Sequence, residues 1–458
     1  MVVHTKYMSG AVVGGVRDTS AGFYNPGALG FVTGSSFSVS ANGYQIEQFT
    51  VEDGAGTGDD LESRQPNVIP LLVSGTFTLG GNRFGYSFIT KHSSSINMYA
   101  RKEGAFDILD SNPTLSKEFG AAFEGPEDYR GQYIYNSNLS EYWGGLSWAN
   151  QLHKNISVGI SGFLALRTQN RDVTALAWAT NLAASRFMVG TEDLLRHVDY
   201  YNVRGLLKLG IAADFDALKL GATLTTPSVN LFGKGTTAQS FLTTKSDEML
   251  PSPTIAYNTI TDDRQENLDA EYKTPLSIAV GLEYMIVPTT RVAGTIEWFA
   301  EQALYQVMTP EPKEMLVGRS SDKIAVNSQN YLKVEDAADD VVNFAIAVEQ
   351  AFNNQYKGYL SFRTDFSTFN LNQEETAYIS NNLDIYHTTI GITRKSKESE
   401  LAVGLTYSFG HQDHLLRPVN LDPLSAKSET DFLFTSPGET SAKYHALGVI
   451  VGYTYFFK

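Results

Sequence analysis

Two arginines and two apolar stretches are the residues of this 458-residue chain best suited to hold a ligand. Arg167 and Arg171 leave an alternating segment four positions apart, and a guanidinium offers paired donors that match a carboxylate. They could equally balance carboxylates of the protein itself. Nearby, Ala175-Leu176-Ala177-Trp178-Ala179 leads through Leu182, Phe187, Met188, Leu194 and Leu195, with apolar positions at roughly helical spacing. A later stretch adds Phe232, Phe241, Leu242, Met249 and Leu250. Apolar side chains gathered in connecting segments either mark a binding surface or bury one another as a cap, and the sequence allows both.

Other constellations point to no chemistry. Gly54-Ala55-Gly56-Thr57-Gly58 has the look of a phosphate-binding glycine run but lacks the strand-to-helix setting such a site needs, so it reads as a flexible loop. Asp53, Asp59, Asp60 and Glu62 around it, like Glu335, Asp336, Asp339 and Asp340, lack the spacing of a calcium loop and read as solvated charge. His411, Asp413 and His414 have no fourth ligand, so no metal site is expected, and no cofactor either. Many Ser and eight His are present without a nucleophile-elbow motif, which argues against an enzyme. With no Cys there is no disulfide scaffold and no thiol chemistry. A net charge of -15 argues against nucleic acid as a partner.

The elements that must carry these residues are strands. No stretch reaches the about 18 consecutive apolar residues of a spanning helix, whereas a membrane strand needs only about 10 alternating ones. Phe37, Val39 and Ala41 alternate with Ser36, Ser38 and Ser40, and Leu401, Val403, Leu405, Tyr407 and Phe409 alternate with Glu400, Ala402, Gly404, Thr406 and Ser408. Marking every such segment gives fourteen strands: 36–46, 69–79, 84–92, 141–152, 155–168, 199–213, 217–229, 273–286, 290–302, 341–351, 356–367, 384–396, 399–411 and 443–457. The connections alternate short and long. Short turns fall at Gly80-Gly81-Asn82, His153-Lys154-Asn155, Asp214-Phe215-Asp216, Pro288-Thr289, Asn353-Asn354 and Ser396-Lys397; long loops fall at 47–68, 93–140, 169–198, 230–272, 303–340, 368–383 and 412–442. An even count with that rhythm, and aromatic clusters such as Trp143 with Trp148 and Tyr453 with Tyr455 and Phe457, predicts an all-β, transmembrane, 14-stranded antiparallel barrel rather than a soluble sandwich. Residues 36–458 would form the barrel with its long loops outside the cell, in the outer membrane of a Gram-negative bacterium with both termini periplasmic. Membrane lipid and lipopolysaccharide would then surround it. Met1 to Val13 show no cleavable leader, so the chain is expected to start within the mature protein.

Residues 1–35 are too long for a simple lead into the first strand. They contain Gly14-Gly15, Asp18-Thr19-Ser20-Ala21 and Phe23-Tyr24-Asn25-Pro26-Gly27-Ala28-Leu29. That run resembles the N-terminal hatch of the FadL/OmpP1/TodX long-chain fatty acid transporter family, in which a Gly-rich segment and an Asn-Pro-Ala motif fold as a plug inside a fourteen-stranded barrel. The resemblance implies a passive channel for long-chain fatty acids or other hydrophobic compounds. The ligand would bind a groove of the outer loops (Trp178, Leu182, Phe187, Met188, Leu194, Phe241, Leu242 and Met249), with Arg167 or Arg171 taking a carboxylate. It would pass a hatch gate at Asn25, Pro26 and Gly27 and leave through the wall at a kinked third strand. The sequence departs twice: the motif ends in Gly27 instead of Ala, and Lys91-His92-Ser93-Ser94-Ser95 has no Gly at the expected bend. A straight third strand and long acidic loops fit a second reading, a barrel of this type serving as a docking subunit for other outer-membrane proteins in a secretion or assembly complex.

Overall fold

Val403, Leu405, Tyr407 and Phe409 turn outward, 39–51% exposed, while Ala402 and Ser408 between them are buried on the other face. The same two-residue rhythm, which follows from the pleat of a strand, runs around the whole wall. The computed structural model describes residues 8–106, 126–181, 188–245, 259–317, 324–369, 383–422, 434 and 438–457. In chain order the strands are β1 (Ser36–Glu52), β2 (Leu61–Leu79), β3 (Asn82–Phe106), β4 (Glu127–His153), β5 (Ile156–Asn181), β6 (Met188–Phe215), β7 (Leu218–Thr225), β8 (Val229–Lys245), β9 (Thr259–Asp269) and β10 (Ser277–Val287). They continue with β11 (Thr290–Phe299), β12 (Gln302–Met308), β13 (Glu314–Val317), β14 (Ile324–Asn327), β15 (Val334–Ala338), β16 (Val341–Ala351), β17 (Tyr356–Asp365), β18 (Asp384–Lys395), β19 (Ser399–Leu416) and β20 (Glu439–Phe456).

Fourteen of these, β1 to β7, β10, β11 and β16 to β20, form one antiparallel ring, closed by β1 on β20 and by β5 on β6. Closure removes the sheet edges and pairs the backbone internally, which is what a wall in hydrocarbon requires. The fourteen strands are those the alternation predicts. The first strand starts beside the last: Phe457 N donates to Ser35 O at 3.0 Å, at the end of the barrel that carries the tight turns.

The loops differ from expectation. Much of 47–68, 93–140, 169–198 and 230–272 is not loop but strand, because β1 to β6 run far beyond the membrane band and β8 with β9 prolong the wall above β7. Helical spacing around Trp178 gives way to a strand in which Ala175, Ala177 and Ala179 are buried on the inner face. The extensions keep the alternation but bury apolar or small side chains such as Ile96, Met98, Ala175 and Ala177 on the inner face. The rim is therefore uneven, high on the β1–β6 side and low at β10, β11 and β16 to β18. Two small hairpin-like pairs, β12 with β15 and β13 with β14, follow β11; Tyr305, Met308 and Val334 pack against Val198 and Tyr200 of β6 and Leu268 of β9.

The chain from Met8 to Ser35 lies inside the ring. It reaches several parts of the wall: Ser9 Oγ meets Ser361 Oγ at 2.6 Å, Ser74 Oγ donates to Thr19 Oγ1 at 2.8 Å, Ser161 Oγ donates to Gly22 O at 2.6 Å, and Arg17 pairs with Asp214 at 3.2 Å. Helix α1 (Ala21–Tyr24) and a 3-10 turn (Pro26–Phe31) carry its core, with Ala28 and Leu29 fully buried. This is the hatch in the lumen.

Candidate ligand passage

From the outside inward, the first feature is a packed apolar cluster between the strand extensions. Phe49, Val51, Leu61, Met98, Tyr133 and Leu415 are buried there against one another, and Leu194 packs on their edge. A clasp closes the rim above them. The β1–β2 tip, with Asp53 at φ 49° and Gly56 and Gly58 at positive φ, presents Thr57, whose N and Oγ1 donate to Asp422 at 2.8 and 2.9 Å. Lys102 joins Asp422 and Asp59, at 2.5 and 2.7 Å. The glycine run is thus a fixed turn rather than a flexible loop. Asp59 is ion-paired, and Asp53 and Asp60 accept backbone N–H groups of Gly58 and Asp53. Burial alone would raise the Asp422 carboxyl, but the hydrogen bonds from Lys102 and Thr57 outweigh it and hold it below the usual carboxylate range.

Halfway down, β4, β5 and β6 place a charged cluster on the inner wall. Glu141 accepts from Arg167 at 3.2 Å, from Arg204 at 2.6 Å and from Trp143 Nε1 at 2.6 Å. Arg167 also donates to Tyr200 and Gln169, at 3.2 and 3.3 Å, and stacks on the Tyr272 ring at 3.8 Å. Arg204 donates to Thr274 Oγ1 at 2.8 Å, and its Nη1, fully buried, has no hydrogen-bond partner among the described residues. Two guanidiniums thus share one carboxylate.

The sequence-derived candidates divide. Arg167 and Arg171 are both buried on the inner wall, Arg167 within this cluster. Leu194 and Phe241 are paired neighbours on the inner face of β6 and β8. Trp178 alternates with buried Ala177 and Ala179, so it looks outward, and Leu242 looks outward too. Leu182, Phe187 and Met249 lie outside the described residues, and of Met188 only the backbone in β6 is described. The eight apolar residues therefore do not form one surface.

The hatch motif is a tight node. Asn25, fully buried, donates to Val13 O at 2.8 Å and Ile211 O at 3.0 Å, and accepts from Gly27 N at 3.0 Å. Gly27 has a local reason: a Cβ there would stand 2.7 Å from Gly210 O, so the alanine of the family motif has no room against this wall.

Beside the hatch the wall is incomplete. The β2–β3 ladder has eight paired positions, from Leu79↔Asn82 to Leu72↔Ile89, and stops. Above it β2 continues on β1 alone, up to Val51↔Leu61, while β3 continues on β4 up to Phe106↔Glu127. A backbone-to-side-chain link spans the divide, Asn97 N donating to Ser63 Oγ at 3.0 Å. The cause is a set of register shifts at one height: Asn42–Tyr44 in β1 against β20, Leu72 to Pro70 in β2 against β1, and Thr90–His92 in β3 against β4. The third strand is therefore not straight. Lys91 is its bulged residue, and the inward set changes from Ser87 and Ile89 below to Ile96, Met98 and Ala100 above. A bulge needs an extra residue, not a glycine, to bend a strand. Behind the break Phe23 of the hatch, Trp143, Phe163 and Leu206 pack together, with Ile89 at their margin and ring centroids 5.7–6.0 Å apart.

Sequence reasoning missed Arg204 and Lys208. The signal was parity: in β6 Val203, Leu207 and Leu209 face lipid, so charged residues of even number must face the lumen.

No protein-family model matches the sequence, and no curated protein matches it. Solved structures do match, over nearly the whole chain. The Pseudomonas putida toluene transporter TodX superposes with a TM-score of 0.52 at 14% identity, covering 98% of this chain and 97% of that one. A Pseudomonas aeruginosa FadL homologue gives 0.52 at 12% identity, over 98% and 97%. The Ralstonia pickettii toluene transporter TbuX gives 0.50 at 13% identity, over 97% of each chain. The chain shares the fold of these barrels.

Proposed function

We propose that the chain is an outer-membrane channel of a Gram-negative bacterium, termini periplasmic, that passes hydrophobic compounds such as long-chain fatty acids sideways into the bilayer. The observation that carries this reading is the end of the β2–β3 ladder at Leu72 and Ile89, with a packed apolar cluster of hatch and wall side chains behind it. Eight strand positions at ~3.3 Å each, tilted by ~40°, put the break ~20 Å above the tight turns, inside an apolar band ~25 Å tall. A ligand caught at the outer apolar cluster, near Leu194 and Phe241, would descend past Arg167 and Arg171. It would meet the hatch, held shut at Asn25, Pro26 and Gly27, and leave through the break. The fold neighbours that carry toluene lend support through shared architecture. The docking-subunit reading drew on a straight third strand and on long acidic loops, and the bulge at Lys91 removes the first of these supports.

The test is uptake of labelled oleate by Gram-negative cells that lack their own fatty acid channel and express this barrel. Deleting Lys91 removes the extra residue of the bulge and lets β3 pair straight. Uptake should then fall at least about tenfold, as for the loss of an obligatory exit step, while the protein still inserts and runs as a folded barrel. Undiminished uptake in that variant would sink the lateral route.

A further inference from the structure

Above the membrane band the outer face of the wall changes character twice. The lipid-facing apolar set reaches Tyr142 in β4, Leu166 in β5 and Val203 in β6, neighbours in one register row. Uncharged polar side chains follow on the same face, among them Ser95, Asn97, Asn136, Asn138 and Asn170, with Ser95 Oγ donating to Asn138 at 2.8 Å. Apolar residues then return. Ile134 and Leu195, each eight residues along its strand from Tyr142 and Val203, share a row with Tyr99. The next row carries Leu176 and Ile260, and Trp178 stands above it. Tyr99, Leu195 and Ile260 are 54, 45 and 60% exposed. Eight strand residues at ~3.3 Å each, tilted by ~40°, put this patch ~20 Å beyond the lipid-facing set, clear of acyl chains. The flank of β1, β2, β19 and β20 differs, with Glu62, Arg64, Lys443 and His411 at its outward positions.

The charges around the patch are one-sided. Its cations are already paired: Arg101 with Glu103 at 2.8 Å, Arg130 with Asp128 at 3.3 Å, Arg264 with Glu266 at 2.8 Å and Lys234 with Asp269 at 2.7 Å. Asp193, which sits between Leu176 and Leu242 in the register, and Asp262, two residues from Ile260, have no ion-pair partner among the described residues. Desolvation by its neighbours pushes the Asp193 carboxyl up, with no cation to draw it back. A contiguous apolar patch held away from lipid marks an interaction site, and the centres of protein interfaces are apolar and aromatic. Unanswered carboxylates within such a patch select a partner that brings cations. A second copy of this face would set Asp193 and Asp262 against like charges, and anionic lipopolysaccharide meets the same repulsion.

We propose that the outer flank of β3 to β6, β8 and β9 docks a second protein, one that presents an apolar surface studded with Lys or Arg. The apolar side chains hold it, and Asp193 and Asp262 choose it. Because the surface lies on the side of the rim, a docked partner leaves the barrel mouth open, so the surface and the ligand passage act independently.

The test uses the full barrel in phosphatidylcholine nanodiscs and reads the fluorescence anisotropy of three labelled peptides of equal length, with empty discs subtracted. One is an amphipathic helix with Leu on one face and Lys on the other. The second has Glu in place of Lys, and the third has Ser in place of Leu. The wild type should bind the Leu/Lys peptide at least about tenfold more tightly than either of the others. Leu195→Ser with Ile260→Ser should abolish the preference over the Ser/Lys peptide. Asp193→Asn with Asp262→Asn should abolish the preference over the Leu/Glu peptide, and Glu62→Gln on the charged flank should change neither. Equal binding of all three peptides, or preferences that survive both double variants, overturns the proposal. Barrels that pair with one another in sedimentation at the same concentration also overturn it, in favour of a second copy.

Discussion

Glu141 is the one carboxylate between Arg167 and Arg204, and its two oxygens are shared among three donors. Replacing it with Gln leaves two buried guanidiniums beside the Tyr272 ring without their shared carboxylate, so Glu141→Gln should cost about 3–5 kcal/mol of stability. Arg204→Met removes the surplus cation, leaves a balanced Glu141–Arg167 pair and should cost less than half as much. Thermal unfolding of the two variants in one detergent gives the order, and a milder effect for Glu141→Gln would contradict the charge count. At this scale the sequence was half legible. Arg167 showed because it follows an evident strand. Arg204 and Lys208 did not, because an isolated basic residue inside an apolar strand has no local pattern, only a parity that becomes meaningful once the outward face is known. Gly27 looked like a departure from a motif and proves to be a fit to Gly210.

The strands show why the loops were misjudged. Within the membrane band apolar side chains face lipid, and the alternation is loud. Beyond it, Ala175, Ala177 and Ala179 face inward with larger residues outside, a pattern that imitates a helical stripe because alanine suits both. In β1 to β3 the register shifts also exchange the two faces, so an uninterrupted alternation ends near residues 42, 71 and 91 although the strands go on. The clasp of the β1–β2 tip on Asp422 belongs to the same scale. Because the Asp422 carboxyl is held below its usual range, its contribution is complete above that range and fades as pH falls through the lowered value. Lys102 is shifted upward by its bonds to Asp422 and Asp59 against the effect of burial, so the clasp survives mildly alkaline pH as well. A spin label at Glu62→Cys should report an ordered tip at neutral pH and a mobile one only in strong acid. Asp422→Asn should free it at neutral pH, with a global stability change under about 1 kcal/mol, as for other partly exposed pairs. A tip ordered in both cases would show that the clasp does not hold the rim.

The molecule as a whole is a ring turned apolar side out, and its stability should respond to depth and direction. Leu405→Arg, on the lipid face near mid-height of β19, should cost about 2–4 kcal/mol in lipid. Thr406→Asn, one residue on and facing the lumen, should cost little. Folding titrations in vesicles measure both, and equal effects would mean that the outward face is not the one in hydrocarbon. The break above Leu72 and Ile89 has a further bearing on the surroundings. Along most of the circumference a neighbouring acyl chain meets leucine, isoleucine, valine and aromatic carbon. At the sector above Leu72 and Ile89 it meets strand backbone that the adjoining strand does not cover. The lipid annulus is therefore not uniform: at that meridian the bilayer must admit water or a headgroup to depth, a standing hydration defect fixed to one compass point of the protein.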